Sequence, residues 1–328
     1  MNTVPVSIIV TVLNEAHTIE QLLKAIVKQT QLPAQLIIID GGSSDKTISK
    51  IKKLLTPQSK FETNQITWLQ AHLIVKKLPH SNRAQARNFA IKIATQQLIA
   101  ITDAGCIPQP TWLEHLYQTQ LRSQASIVGG YFYGLPQTAF EQAVVAYTLP
   151  MPDQVDPRTF VPAARSVLVT KKIWKKLGGF DENLEYNEDF PFFYKARTQQ
   201  IPIAFAKKAL VGWIPRSTLT DFAKMIFRFA QGDVEAGIVR PRVQLLFSRY
   251  LLVLGAVVWL CLIRDISLSQ LMLPLAFWLS FYLLWSIWKN YKYVPNGWWW
   301  LPILQLTADG AVMIGSVVGL VSYYNSQS

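Results

Sequence analysis

The sequence predicts an α/β domain built on a mostly parallel sheet and followed by helices that cross a membrane. Three observations carry that expectation. Short apolar runs closed by small polar turns alternate with helical patterns, several of those runs end on an acidic residue, and three long apolar segments fill the last quarter of the 328 residues.

The first strand is expected over Val6 to Leu13, ending at Asn14-Glu15, with a helix from about Thr18 to Gln29. A second strand, Leu36 to Asp40, is broken by Gly41-Gly42-Ser43-Ser44-Asp45, where Ser44 or Asp45 is available to cap the next helix. Strand, helix, strand, helix requires parallel pairing. Thr67 to Lys76 reads as a further strand, and Arg83-Ala-Gln-Ala-Arg87-Asn88 opens a helix that carries both arginines on one face. At the start of a helix beside the sheet edge these arginines either are solvated or reach a diphosphate. Leu98 to Ile101 is too short and apolar for a helix and leads to Asp103. An Asp at the C-terminal end of a parallel strand stands where ligands bind in open α/β sheets, although the same residue type also caps turns. Trp112 begins a helix, and Ile127 to Phe132 and Ala164 to Val169 read as strands.

A basic helix with Lys171, Lys172, Lys175 and Lys176 then runs into Gly178-Gly179-Phe180-Asp181-Glu182. The acidic cluster Glu185 to Asp189 precedes a helix from about Pro191 to Thr198. Acidic residues there complement a helix dipole, or one of them serves as a general base. Phe222 to Phe229 has the spacing of an amphipathic helix, on a membrane surface or in a core.

Charge separates the two ends of the chain. Residues 1–243 hold 28 of the 32 Lys and Arg and 18 of the 20 Asp and Glu, whereas the rest contains only Arg249, Arg264, Asp265, Lys289, Lys292 and Asp309. The apolar segments at about 245–263, 268–288 and 301–324 match the roughly 20 helical residues that a bilayer core requires. Arg240, Arg242 and Arg249 at the first, and Lys289 and Lys292 after the second, put the N-terminal domain in the cytoplasm and the C-terminus outside, an integral protein of the plasma (inner) membrane. Trp298 to Trp300 would anchor the interface. Asp309 inside the third segment is costly there, and serves helix packing or function. The expected boundaries are 1–215 for the α/β domain, 216–243 for an amphipathic interfacial or linker region, and 244–328 for the membrane helices. The formal charge of +12 comes without a basic stripe interleaved with aromatics, which favours anionic lipid and a phosphate-rich substrate over nucleic acid. Two cysteines, Cys106 and Cys261, make no disulfide framework.

Val10-Thr-Val-Leu-Asn-Glu15, Ile39-Asp-Gly-Gly-Ser-Ser-Asp-Lys-Thr47, Asn82 to Asn88, Thr102-Asp-Ala-Gly-Cys106, Leu177 to Glu182 and Asn187-Glu-Asp189 occur in the order found in family-2 glycosyltransferases, which this chain resembles over about residues 5–200. The resemblance implies a GT-A fold and an inverting transfer from a nucleotide-diphosphate sugar, a UDP- or GDP-sugar. It assigns Thr11, Asn14, Glu15 and Asp40 to the nucleoside pocket and Arg87 to the diphosphate region, where Arg83 on the same helical face is a further candidate. Asp103 falls to metal and diphosphate, and Asp189 to the catalytic base with Glu188 supporting it. A divalent cation, Mg²⁺ or Mn²⁺, is implied with it. Gly105 stands where the Asp-X-Asp pattern has its second carboxylate, and Cys106 is a poor substitute because these ions prefer oxygen. Leu13 likewise replaces a frequent Tyr. Membrane anchoring favours a lipid or lipid-linked acceptor, for glycolipid or cell-envelope polysaccharide synthesis. Two alternatives are a processive polysaccharide synthase, whose Gln-X-X-Arg-Trp motif is missing after Asp189, and an inactive nucleotide-sugar-binding scaffold.

Overall fold

The computed structural model describes residues 2–264 and 266–325. Asp265, within the expected loop between the first two apolar segments, and residues 326–328 lie outside the described residues. The chain divides into two compact units, Met1–Leu135 with Met151–Ile214, and Pro136–Pro150 with Pro215–Ser328.

The first unit alternates strand and helix as expected: β1 Thr3–Val12, α1 Ile19–Val27, β2 Leu32–Asp40 and α2 Thr47–Leu54. α3 Thr63–His72, β3 Leu73–Lys77, α4 Arg83–Ile93 and β4 Leu98–Ile101 follow. β1 lies between β2 and β4, with β3 outside β2, all parallel. This half is β-branched and buried on both faces, as Ile8, Ile9, Val10 and Ile37 to Ile39 show. The strand expected over Thr67 to Lys76 is instead mostly helix. The backbone N–H of Glu62 bonds the Gln65 side chain at 3.2 Å, and Ile66 and Leu69 fall on one buried face three residues apart. Only from Leu73 does the chain pair with β2 as a strand.

The sheet continues through β5 Cys106–Pro108, β6 Ile127–Gly134, β7 Val167–Thr170 and β8 Ile203–Trp213, with α5 Trp112–Ser123 between β5 and β6. Its order is β3-β2-β1-β4-β7-β6-β8-β5, antiparallel on both sides of β7 and between β8 and β5. The sheet is therefore parallel in its first half and mixed in its second. β7 begins at Val167, later than the strand expected from Ala164, because residues 163–166 form a loop that turns into the sheet edge. The short chain stretch 136–150 contains α6 Ala139–Thr148, which belongs to the second unit, with Phe140 edge-on to Trp300 at 5.1 Å.

α7 Lys171–Leu177 ends on Gly178 and Gly179, both with left-handed φ of 90° and 81°. This turn is a glycine position on two counts, since a Cβ on Gly179 would also sit 3.0 Å from Asn88 Oδ1. α8 Asp189–Thr198 starts two residues before the expected Pro191. In the second unit, α9 Leu219–Glu235 extends beyond Phe222 to Phe229 at both ends, and Thr218 caps its start by accepting from Asp221 N at 3.1 Å. Three helices long and apolar enough to cross a membrane follow: α10 Pro241–Ile263, α11 Leu268–Trp288 and α12 Trp300–Asn325.

Candidate functional site

β1, β2 and β4 are adjacent and parallel, so the residues just past their ends share one edge of the sheet. Asp40 is the last residue of β2 and fully buried; its Oδ1 accepts from Ser43 N at 3.0 Å, while Oδ2 has no hydrogen-bond partner. A buried carboxylate oxygen left open is expensive unless a ligand donates to it. Asn14 turns the chain after β1 with φ 58°, and its Oδ1 accepts from Ser44 N at 2.9 Å. Glu15 N donates to Thr47 Oγ1 at 2.8 Å, and Glu15 Oε2 accepts from Thr18 Oγ1 at 2.5 Å. These bonds knit the first two strand ends into one rim. Thr11 is half-buried on β1 opposite Ile39.

A second group centres on Arg87, only 2% exposed on α4. The helix is started by a reciprocal cap, Gln85 N to Asn82 Oδ1 at 2.9 Å and Asn82 N to Gln85 Oε1 at 3.0 Å. Asn88, next to Arg87, donates to the Phe180 carbonyl at 2.8 Å and accepts from Phe180 N at 2.9 Å. It thereby fixes the double-glycine turn that leads to the acidic cluster. Arg87 donates to Asp103 Oδ1 at 2.7 Å and pairs with Glu188. Arg83, more exposed, reaches Glu188 Oε2 at 3.7 Å. Burial disfavours the Arg87 charge, but Glu188, Asp103 and Asp189 outweigh it and hold its pKa above the ordinary value. Burial likewise opposes the Asp103 carboxylate, and Arg87, Arg83 and Arg165 overcome it, so its pKa lies below the usual range. Glu188 goes the other way: its burial outweighs the arginines and pushes its pKa up, and its Oε2 lacks a hydrogen-bond partner.

Asp189, the first residue of α8, accepts from Ala164 N at 2.9 Å through Oδ2. Its other oxygen has no hydrogen-bond partner among the described residues. One residue on, the carbonyl of Arg165 accepts from Thr102 Oγ1 at 2.9 Å, directly before Asp103. The loop 163–165 therefore touches both carboxylate-bearing segments. Arg165 was invisible to pattern reading, since no motif surrounds it. Its guanidinium lies 5.2 Å from the centre of the Phe132 ring and 5.0 Å from that of Trp213, and no carboxylate among the described residues pairs with it. Cations clamped by aromatics between two acidic segments are a signal that only the fold supplies.

A Cβ added at Gly105 meets nothing within 4 Å, so the place of a second carboxylate is open space. Cys106 is buried, and burial first and Asp103 second push its thiol up to about 12, which keeps it protonated. Among the described residues no group of three His, Cys, Asp or Glu is gathered as a metal site. Leu13 is exposed after β1.

Residues 7–153 match the model of glycosyl transferase family 2. The glycosyltransferase AglE of Haloferax volcanii is 24% identical over 240 residues, 71% of this chain and 75% of that one. The Escherichia coli WfgD, a UDP-Glc:alpha-D-GlcNAc-diphosphoundecaprenol beta-1,3-glucosyltransferase, is 30% identical over 125 residues, 38% of this chain and 44% of its own. The mannosyltransferase PcManGT of Pyrobaculum calidifontis, solved with GDP-Man and Mn2+, shares the fold with a TM-score of 0.58 at 17% identity, over 94% of this chain and 87% of that one. With that fold and the family match over the strand ends that carry Asn14, Asp40 and Asp103, the first unit of this chain carries a glycosyl transferase family 2 domain of the GT-A fold.

Proposed function

We propose that the enzyme moves a sugar from a nucleotide-diphosphate sugar to a hydroxyl or phosphate of a lipid or lipid-linked acceptor at the membrane, with inversion. The observation that carries this reading is the ion network in which Arg87 joins Asp103 to Glu188, beside an Asp189 with one free oxygen. Thr11, Asn14, Glu15 and Asp40 form the nucleoside side, where the open oxygen of Asp40 receives a donor from the nucleoside. Asp189 takes the acceptor proton as its oxygen attacks the anomeric carbon; the diphosphate leaves from the opposite face. Arg87 is fully committed to two carboxylates and orients them, which leaves Arg165 and Arg83 as the cations that meet phosphate oxygens.

A single carboxylate at Asp103, with open space at Gly105, fits a divalent cation only as a shared site. Mg²⁺-type ions are commonly held by one or two carboxylates together with substrate phosphates. Asp103 would hold the ion with the diphosphate, and the ion would supply charge neutralisation of the leaving group. The GDP-Man and Mn2+ of PcManGT support such a donor and cation, and the diphosphoundecaprenol acceptor of WfgD supports a lipid-linked acceptor. The three apolar helices support attachment to the plasma membrane, and the Lys and Arg that flank them a catalytic domain on its cytoplasmic side. With three spans, the C-terminus would lie outside.

The test is transfer from UDP- and GDP-sugars to polyprenyl-phosphate and polyprenyl-diphosphate-sugar lipids by the detergent-purified chain. Formation of one glycolipid from one donor is expected; absence of transfer from every donor, together with absence of donor binding, would overturn the reading.

A further inference from the structure

The three apolar helices of the second unit have different surroundings. Along their apolar windows, 6% of α10 and 17% of α11 are buried inside the protein, against 44% of α12. What covers α12 is α9. A Cβ at Gly315 would stand 2.5 Å from the Phe227 carbonyl oxygen, and one at Gly319 2.6 Å from that of Gln231. The two helices thus lie backbone against backbone through small residues four apart, and since 227 and 231 match 315 and 319 they run in the same direction. Yet α9 carries Asp221, Lys224, Arg228, Asp233 and Glu235 within 17 residues, with Asp221, Lys224 and Arg228 exposed. Charged residues at the centre of a bilayer are costly and rare. A helix so charged stays out of the hydrocarbon, and α12 lies along it.

Chain reach gives the same answer independently. Arg240 Nε pairs with Asp233 Oδ2 at 2.6 Å, which ties the start of α10 to the last turn of α9, beside Gly319. Tyr250, one residue past Arg249 on α10, donates to Asp309 Oδ2 at 2.9 Å. α10 therefore begins near the later part of α12 and meets it again ten residues earlier. α11 meets α12 at the same carboxylate, with Tyr282 donating to Asp309 at 2.5 Å and Lys289 Nζ to Gln305 Oε1 at 2.6 Å, and with the Tyr282 ring 4.3 Å from the Arg249 guanidinium. Three alternating spans would run α10 and α12 in one direction, start beside start. The contacts instead put the start of α10 by the later part of α12 and bring α10 and α11 together on α12 at Asp309.

We propose that α10 and α11 alone cross the bilayer, while α12 lies in the membrane interface beside α9, and that α12 ends on the side from which the chain enters α10. Its partner is the headgroup and acyl boundary of the same membrane. Ile303, Leu306, Ile314, Val317, Val321 and Tyr324 are exposed and fall on one stripe, away from Gly315 and Gly319. Arg240, Arg242, Lys289 and Lys292 then stand at the two feet of the hairpin, where anionic headgroups attract them.

This inference rests on the membrane reading of α10 and α11, and the experiment separates the two. Epitope tags are placed before Met1 and after Ser328 of the full chain. A reporter thiol is placed at the hairpin tip by Ser267→Cys in a Cys261→Ser background, with the buried Cys106 retained. In inverted vesicles both tags are expected to be digested by added protease, and the Ser267→Cys thiol to react with an impermeant maleimide only in intact cells. A protected C-terminal tag would mean that α12 crosses, and would overturn the proposal. A Ser267→Cys thiol reactive from the same side as both tags would mean that no hairpin crosses, and would overturn the membrane reading of α10 and α11 as well.

Discussion

Arg87 in the first unit and Asp309 in the second are both buried charges that tie separate elements together, yet they are satisfied to different degrees. Asp309 Oδ2 accepts from Tyr250, Tyr282 and Arg249, and Oδ1 accepts from Gln305 at 2.8 Å, so both oxygens are filled from three helices. Around Arg87 capacity is left over. Glu188 Oε2 has no hydrogen-bond partner, the Asp103 side chain is 34% exposed, and no carboxylate among the described residues pairs with Arg165; at the end of β2, Asp40 Oδ2 is open as well. Buried polar groups are normally paired, so a saturated hub reads as architecture and an open one as a place kept for a ligand. Asp309, which the sequence leaves undecided between packing and function, falls on the side of packing.

That contrast breaks most visibly at Asp189. Asp189→Asn is expected to lower transfer by about 10²–10⁴-fold, the usual contribution of a general base, with donor affinity and thermal midpoint unchanged. Near-normal turnover in single-turnover assays would remove Asp189 from the chemistry. Next in size, Arg87→Leu leaves Glu188 buried without its cation, a change that costs about 3–5 kcal/mol in comparable pairs. Denaturant unfolding should show that loss, and the double variant with Glu188→Leu should recover much of the stability but none of the activity.

Arg165→Gln is expected to weaken binding of a phosphorylated substrate by roughly 10–100-fold, the range of one hydrogen bond to a charged group, without lowering the melting temperature. Calorimetry with UDP or GDP, set against the KM for the lipid acceptor, identifies which phosphate Arg165 meets; no change in either would return it to a structural role. Asp309→Asn sharpens the other half of the comparison. It keeps acceptor oxygen for Tyr250 and Tyr282 but loses the charge opposite Arg249, so the melting temperature falls while donor affinity stays constant.

The smallest effect is on pH. Asp103 is held below its ordinary pKa despite burial, by Arg87 first, so its pairing stabilises the fold above about pH 4 and is lost as pH falls through the lowered value. Glu188, raised by burial, works in the opposite sense and favours the fold at lower pH. Acid unfolding of Asp103→Asn should therefore have a flatter low-pH limb than that of the unsubstituted chain.

The strand ends were legible because parallel strands write themselves as apolar runs, and a residue such as Asp40 or Asp103 after such a run has one place to go. The ordered motifs added Glu188 and Asp189. Arg165 was not legible, because its environment is made by Phe132 and Trp213 from β6 and β8, remote in sequence. Nor was the pairing of α9 with α12: Gly315 and Gly319 look like a helix-packing signature, but nothing in the chain says which helix they receive. Thr67 to Lys76 misled for a third reason, since a short helix and an edge strand abut there and their apolar residues merge into one run.

The most direct test of the open hub is calorimetric titration of detergent-purified full chain with UDP- and GDP-sugars, with and without Mn²⁺, comparing Asp103→Ala with Asp309→Asn. One donor should bind the unsubstituted chain and Asp309→Asn with equal affinity and should lose both binding and any Mn²⁺ enhancement in Asp103→Ala. Equal binding by Asp103→Ala, or no donor bound by the unsubstituted chain, would contradict the assignment of the Arg87 network as the donor site.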